Sequence, residues 1–177
     1  MKTIALKMLV LLLLTGAGQS AVAHPQSEAQ ISSIRSQYAA INKRATRHKK
    51  VKRQLSGFSL EGGELVASFE GAAIVKMVAI HYGEMGRTLE EYYFSNGKLI
   101  FMFAKVFHYN RPMGKVARTA ENRYYFNNDQ LIRWIGENGK QGDLTSEDSA
   151  AKQKDLLESS NLLTAGARSK NSTIEHP

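Results

Sequence analysis

One short pattern constrains the fold more than any other feature: an apolar or aromatic residue, a small or polar turn, and then two apolar residues. The pattern occurs four times, starting at Leu60, Phe69, Phe94 and Phe126. In the two most similar copies, the Tyr-Tyr-Phe of residues 92–94 returns 32 residues later at 124–126. An Asn-Gly pair between apolar runs, as at Asn96-Gly97, is a strong indication of a β-hairpin. The repeat therefore predicts an antiparallel meander of six or seven strands between residues 57 and 136.

Two of the predicted strands, 74–80 and 99–106, carry apolar side chains on both faces. A strand with one face in water would alternate apolar and polar residues instead. The centre of the sheet must therefore be covered on both sides, or the sheet must curl strongly.

The segment before the meander, residues 24–56, has the periodicity of a helix. Ser27 and Gln30 fit a capping box, and apolar or aromatic residues then recur at spacings of three and four. This stripe consists of Ile31, Ile34, Tyr38, Ile41, Ala45, His48 and Leu55. We expect one long helix, from about residue 28 to about residue 56, to cover one face of the sheet. Because the stripe is of heptad type, a homo-oligomer formed through residues 31–55 is an alternative use for it.

Residues 137–177 follow the meander and begin with a polar loop. A helix start at Thr145-Ser146-Glu147 precedes a weak apolar face that ends at Gly166. We expect this C-terminal helix to cover the second face of the sheet, and we expect a disordered tail from Ala167 onward. The fold class predicted for the whole chain is therefore α+β.

Residues 1–23 have the pattern of a cleavable export signal. Lys2 and Lys7 supply a positive start, residues 8–14 are apolar, and Ala21-Val22-Ala23 fits a cleavage site. The apolar run is too short to span a bilayer. We therefore expect a periplasmic or secreted protein, cleaved after Ala23 and without a transmembrane anchor. The chain has no cysteine, which excludes disulfides, thiolate metal sites and a cysteine nucleophile.

The positive charge of the chain is concentrated in one place. The formal net charge is +8, and one dense cluster of cations lies at Lys43, Arg44, Arg47, Lys49, Lys50, Lys52 and Arg53. Like charges at helical spacing repel one another, so local helix energetics do not explain the cluster. One interpretation is that it binds an anionic partner, either an envelope component or an acidic protein. The alternative is a solvated helix face that keeps the protein soluble. Nucleic acid is not an expected partner, because the cluster lacks interleaved aromatic residues for base stacking.

The two closest repeats also place charged residues beside tyrosines. Adjacent residues of a strand point to opposite faces, so Glu91 shares a face with Tyr93, and Arg123 shares one with Tyr125. One interpretation is structural, a cross-strand ion pair between Glu91 and Arg123. The other is a ligand platform formed by all four residues, which a small-ligand carrier or a hydrolase would use.

No catalytic motif is evident in the sequence. It contains neither a G-x-S-x-G elbow nor a phosphate-binding loop, and its five histidines lack metal-ligand spacing. We therefore expect no cofactor, no metal and no assigned catalytic residue. The predicted function is that of a non-enzymatic binding or interaction protein, with the carrier or hydrolase as the alternative.

Two segments resemble an uncharacterised family of small exported bacterial proteins. They are the run 91–101 and the motif Tyr38-x-x-Ile41-Asn42. The resemblance covers roughly residues 30–135 and implies an N-terminal helix paired with an aromatic-rich antiparallel meander. It implies no activity and no site residues.

Overall fold

The computed structural model of the chain describes residues 25–176, so the predicted export signal, residues 1–23, lies outside the described part. Within this range the chain forms two α-helices, α1 (Pro25–Lys43) and α2 (Glu147–Arg168), and a sheet of eight strands. The strands are β1 (Lys49–Ser56), β2 (Gly63–Glu70), β3 (Ala73–Gly83), β4 (Gly86–Ser95), β5 (Lys98–Tyr109), β6 (Val116–Asn127), β7 (Gln130–Ile135) and β8 (Thr173–Glu175). A 3₁₀ turn, Glu137–Gly139, follows β7. The predicted α+β class is confirmed.

The sheet is open and follows the order β7-β6-β5-β4-β3-β2-β1-β8. Each strand from β1 to β7 pairs antiparallel with the next, and β8 pairs in parallel with β1. The meander predicted from the repeats is therefore present. It begins at residue 49 rather than 57, and the sheet does not close on itself.

Three of the four sequence repeats form hairpins of the same design. The hairpins β2–β3, β4–β5 and β6–β7 each contain a register shift beside the phenylalanine that opens the repeat. A bulge of this kind places one extra residue on the second strand. The extra residues, Val75, Ile100 and Ile132, all pack on the side of the sheet that α1 covers. At the tip of β4–β5, Asn96 and Gly97 both have left-handed φ angles (51° and 77°), as a two-residue hairpin turn requires.

Both faces of the sheet are covered, as the strands with two apolar faces predict. Ile31, Ile34 and Ile41 of α1 pack against Tyr93, Phe101 and Tyr125. On the opposite face, α2 buries Leu163 and Ala167 in a larger cluster with strand residues such as Met102 and Phe126. The isoleucines of the predicted stripe are therefore used inside the chain, and none of the three is more than 5% exposed.

The prediction of one helix reaching residue 56 is wrong. The helix α1 ends at Lys43, residues 44–47 turn, and Lys49–Ser56 form β1. Val51 and Leu55 are four residues apart, a spacing that keeps them on one face of a helix and also on one face of a strand, so the pattern was ambiguous. In the strand, neighbouring cations point to opposite faces, which reduces their mutual repulsion. The basic segment is thus an edge region of the sheet and not a helix face.

The prediction of a disordered tail from Ala167 is also wrong. The helix continues to Arg168, and Thr173–Glu175 pair with Gln54–Ser56 of β1. The side chain of Ile174 is only 4% exposed and lies over Gly166, where a Cβ atom would come within 2.5 Å of the isoleucine Cδ1. A single apolar residue in a polar tail gave too weak a pattern to predict a strand.

Candidate functional site

The four residues of the predicted ligand platform all lie on the face of the sheet that α1 covers. Residues paired directly across antiparallel strands share a face. The pairing gives two adjacent rows, Tyr93–Phe101–Tyr125 and Glu91–Phe103–Arg123. Because β5 runs between the two repeats, Glu91 and Arg123 do not form the cross-strand ion pair considered above. Glu91 pairs with Lys76 (3.2 Å), and Arg123 pairs with Glu121 (2.8 Å).

Glu91 and Tyr93 belong to a hydrogen-bond network that joins β4 to the end of α1. The Tyr93 hydroxyl donates to Glu91 Oε2 at 2.5 Å, and Asn42 Nδ2 of α1 donates to the same hydroxyl at 3.2 Å. Lys76 Nζ donates to Asn42 Oδ1 at 3.1 Å and also pairs with Glu91. The network fixes the last turn of the helix above the sheet.

Tyr93 is completely buried, and this determines what it can do. Burial raises the pKa of its hydroxyl well above the ordinary range, and the hydrogen bond to Glu91 adds to the effect. The hydroxyl therefore stays protonated and committed to its donor role. Of the four platform residues, Tyr93 packs beneath the site, while Glu91, Arg123 and Tyr125 line it.

A cavity of about 490 Å³ opens beside α1, and we call it the α1 cavity. Its walls are formed by Ile34, Arg35 and Tyr38 of the helix and by Glu91, Phe101, Phe103, Glu121, Arg123 and Tyr125 of the sheet. The volume is in the range of small-molecule sites. Sequence reasoning missed the helix residues Arg35 and Tyr38. Their spacing of three places them on one side of α1, but nothing in the sequence showed which strands that side would meet.

Aromatic rings form a continuous wall in the α1 cavity. Tyr38 packs on Phe101 with ring centroids 5.5 Å apart, and Phe101 packs on Tyr125 at 4.9 Å. The guanidinium of Arg123 lies 5.5 Å from the centre of the Phe103 ring. Tyr38 remains 38% exposed, so the wall extends to the surface of the protein.

The charges around the α1 cavity are not balanced. Both carboxylates of the wall already have cationic partners, since Glu91 contacts Lys76, and Glu121 contacts Lys105 and Arg123. The hydrogen bond from Lys105 is the main reason that the pKa of Glu121 is lowered. Arg35 adds a further cation at the rim. Counting the wall residues and their ion-pair partners, four cations face two carboxylates.

The seven basic residues predicted to bind an anionic partner do not form one helical face. Arg44 pairs with Glu70 of β2 at 3.2 Å. The guanidinium of Arg53 donates to Ser169 O at 2.7 Å, where it satisfies a carbonyl just after α2. The others have exposed or terminal positions and form no ion pair with any residue in 25–176; they are Lys43, Arg47, Lys49, Lys50 and Lys52.

Searches of protein-family models, curated proteins and solved structures find no match to this chain. Within residues 25–176, no helix is both long and apolar enough to cross a membrane. In the same range, no cluster of three or more histidine or acidic side chains has a geometry that would hold a metal ion.

Proposed function

We propose that the mature protein is an exported binding protein for a small anionic molecule with an apolar body. The observation that supports this is the α1 cavity, in which two guanidinium groups and four aromatic rings line one space with a surplus of positive charge. A binding role fits the predicted non-enzymatic class and places the ligand on the predicted tyrosine face.

Arg35 and Arg123 are the anion-binding groups of this proposal. A guanidinium has five N–H donors, and Arg123 uses one of its nitrogens on Glu121. The Arg123 side chain is 39% exposed, so donors remain for a ligand carboxylate, sulfonate or phosphate. Arg35 approaches from the opposite wall, which allows an anion to be held between helix and sheet.

The aromatic wall accounts for the apolar body of the ligand. Phe101, Phe103 and Tyr125 present ring faces and edges across the sheet side of the cavity, and Tyr38 forms the lip on the helix side. Most small-molecule sites combine such apolar walls with a few polar anchors. The hydrolase alternative is less well supported, because Glu91 and Tyr93 are held in a structural network and the Tyr93 hydroxyl is buried.

The test uses 4-phenylbutyrate as the anionic probe and 4-phenylbutan-1-ol as its neutral counterpart. Amide chemical shifts of the mature protein, followed by NMR during titration, should move in α1 and in β4–β6 with the acid only. A hydrogen bond to a charged group contributes roughly 1.5–3 kcal/mol, so Arg123→Gln should raise the Kd about tenfold or more. Arg35→Gln should act in the same direction.

Arg118→Gln is the matched control. Arg118 lies on the same strand as Arg123 but on the other face, where it pairs with Glu137 at 3.2 Å. This variant should bind the acid with unchanged affinity. Equal binding of the acid and the alcohol, or equal affinity in Arg118→Gln and Arg123→Gln, would contradict the proposal.

A second candidate function is supported by the exposed basic edge, which we define as Arg47, Lys49, Lys50 and Lys52. The strand β8 covers only Gln54–Ser56 of β1, so the basic half of β1 is not covered by a neighbouring strand on that side. We propose this edge as a contact for an anionic envelope component. Lysines on an edge strand also prevent edge-to-edge aggregation, which is the structural alternative.

Salt-dependent retention on heparin and on anionic lipid vesicles distinguishes binding of an anionic component from a role in preventing aggregation. Changing Lys49, Lys50 and Lys52 to Gln should abolish retention that is steeply salt-dependent. The control changes Lys115, Lys140 and Lys170 to Gln, which removes the same charge from other exposed positions. Equal loss in both triple variants would mean that net charge, and not the basic edge, is responsible.

A further inference from the structure

A second cavity, of about 580 Å³, lies on the opposite face of the sheet, and we call it the α2 cavity. The ends of β3 and β4 form its floor near their connecting turn. Phe58 from the β1–β2 loop, Leu163 from α2 and His108 from β5 contribute to its walls. The proposed anion site makes no use of this cavity.

Glu90 supplies the carboxylate of the α2 cavity. It is the neighbour of Glu91 in β4, and strand alternation turns it to the other face. Its Oε2 atom accepts a hydrogen bond from the Tyr92 hydroxyl at 2.6 Å and lies 3.2 Å from His81 Nε2. Both contacts fall on the same oxygen. The second oxygen, Oε1, has no donor among the described residues, and the side chain is 21% exposed.

The contact with His81 does not neutralise this carboxylate. The Nδ1 atom of His81 is buried and has no hydrogen-bond partner within residues 25–176. A proton at Nδ1 would therefore be buried without an acceptor, which is costly. A proton on Nε2, donated to Glu90, avoids that cost. The negative charge of Glu90 thus remains in the cavity.

Within residues 25–176, no lysine or arginine of the wall forms an ion pair with Glu90, and a further histidine of the wall, His176, packs edge-on against the Phe58 ring at 4.9 Å. The guanidinium of Arg87 lies over the Phe107 ring at 4.7 Å, on the α1 face of the sheet. His108 Nε2 lies 3.0 Å from the guanidinium of Arg118, which can only donate, so this nitrogen acts as an acceptor. Arg118 in turn pairs with Glu137. Among residues 25–176, Glu90 is the only carboxylate side chain in the wall of the α2 cavity.

We propose that the α2 cavity binds a small organic cation, a protonated amine with an apolar body. The ammonium group would donate to Glu90 Oε1, while Tyr92 and His81 hold the carboxylate through Oε2. Phe58, whose ring packs against His81 and His176, would add aromatic surface for the apolar chain, and Leu163 closes the helix side. The two faces of the sheet then carry sites of opposite charge preference.

The test uses 2-phenylethylammonium as the probe and 2-phenylethanol as its neutral isostere, with NMR titration of the mature protein at pH 7.5. The ammonium probe should shift the amides around Gly83, Gly86 and Glu90, and the alcohol should bind at least tenfold more weakly. Glu90→Gln keeps the size of the side chain and removes its charge, so it should weaken binding of the ammonium about tenfold or more.

Glu64→Gln is the control for loss of a carboxylate. Glu64 lies on the α1 face and accepts a hydrogen bond from Tyr82, outside the α2 cavity. The Kd of the Glu64→Gln variant for the ammonium probe should equal that of the unmodified protein. The proposal is overturned if the alcohol binds as tightly as the ammonium, if Glu90→Gln and Glu64→Gln give the same Kd, or if shifts occur only around α1. The comparison of the two probes on the unmodified protein tests the preference for a cation even if Glu90→Gln does not fold.

Discussion

Tyr93→Phe tests whether a buried hydroxyl fastens α1 to the sheet. The substitution keeps the ring, which packs 4.8 Å from Tyr38 and 5.7 Å from Phe101, and removes only the hydroxyl. The hydroxyl has two partners, the carboxylate of Glu91 and the amide of Asn42. The measured change in the free energy of unfolding therefore reports the hydrogen bonds and not the packing.

The expected magnitude follows from these partners. A hydrogen bond to a charged group contributes roughly 1.5–3 kcal/mol, and one between neutral groups about 1 kcal/mol. Lys76 continues to contact both Glu91 and Asn42, at 3.2 and 3.1 Å, so each of these groups keeps a polar partner after the substitution. We therefore expect a loss of about 2 kcal/mol, slightly below the sum of about 2.5–4 kcal/mol for the two hydrogen bonds. In a domain of this size, that lowers Tm by about 4–8 °C.

Urea unfolding followed by the fluorescence of Trp134, the only tryptophan of the chain, measures the change. Tyr82→Phe is the control, because its hydroxyl also contacts a glutamate, Glu64, but at an exposed position. It should cost less than about 0.5 kcal/mol. A double-mutant cycle of Tyr93→Phe with Glu91→Gln should give a coupling of about 1 kcal/mol or more. A loss no greater than that of the Tyr82 control, or a coupling near zero, would refute the reasoning.

Three further predictions concern stability. Burial, together with the charge of Glu90, raises the pKa of Tyr92 and raises that of Tyr124 to about 12. In the unfolded chain both tyrosine hydroxyls ionise near pH 10. The stability that comes from the raised pKa values should therefore be complete below pH 10 and be lost as the pH rises toward 12. Measurements of Tm from pH 8 to 11.5 check this. Gly166→Ala should destabilise the protein by about 1–3 kcal/mol and increase proteolysis of the C-terminal segment, because the new methyl group would collide with Ile174. Ser146→Ala should cost about 1 kcal/mol in urea unfolding, since the Ser146 hydroxyl accepts the first-turn amide of α2.

The sequence was most informative where local chemistry and tertiary structure agree. The hairpin repeats and the two apolar faces of the central strands could be predicted, because turn residues and periodicity act over short distances. The capping box expected at Ser27 was wrong, since α1 begins at Pro25 and Ser27 lies within its first turn. The segment 49–56 could not, since Val51 and Leu55 fit a helix and a strand equally. The short strand β8 depends on Ile174 packing with Leu55 of β1 and Leu163 of α2 in one buried cluster, which is a long-range contact that no local pattern encodes.

The same distinction between local patterns and long-range contacts applies to the candidate sites. Strand alternation predicted correctly that Glu91 and Tyr93 share a face, as their hydrogen bond shows. It did not show that β5 separates the two repeats, so the expected neighbour of Glu91 was wrong. Arg35 was missed because its role depends on how α1 crosses the sheet. The cluster around Glu90 was missed because His81 and Glu90 meet diagonally across β3 and β4, which requires the register of the hairpin.

Two adjacent residues of β4, Glu90 and Glu91, therefore serve different faces of one sheet, and their surroundings differ in charge. Glu91 pairs with Lys76, and the α1 cavity keeps a positive surplus. Within residues 25–176, Glu90 has only a hydroxyl and an imidazole as partners, and the α2 cavity keeps a negative charge. If both sites bind as proposed, Arg123→Gln should weaken only the acid probe, and Glu90→Gln should weaken only the amine probe. A variant that weakened both probes equally would instead be acting through the stability of the sheet, which its Tm would reveal. The crossed experiment thus separates two independent binding sites from a single effect on folding.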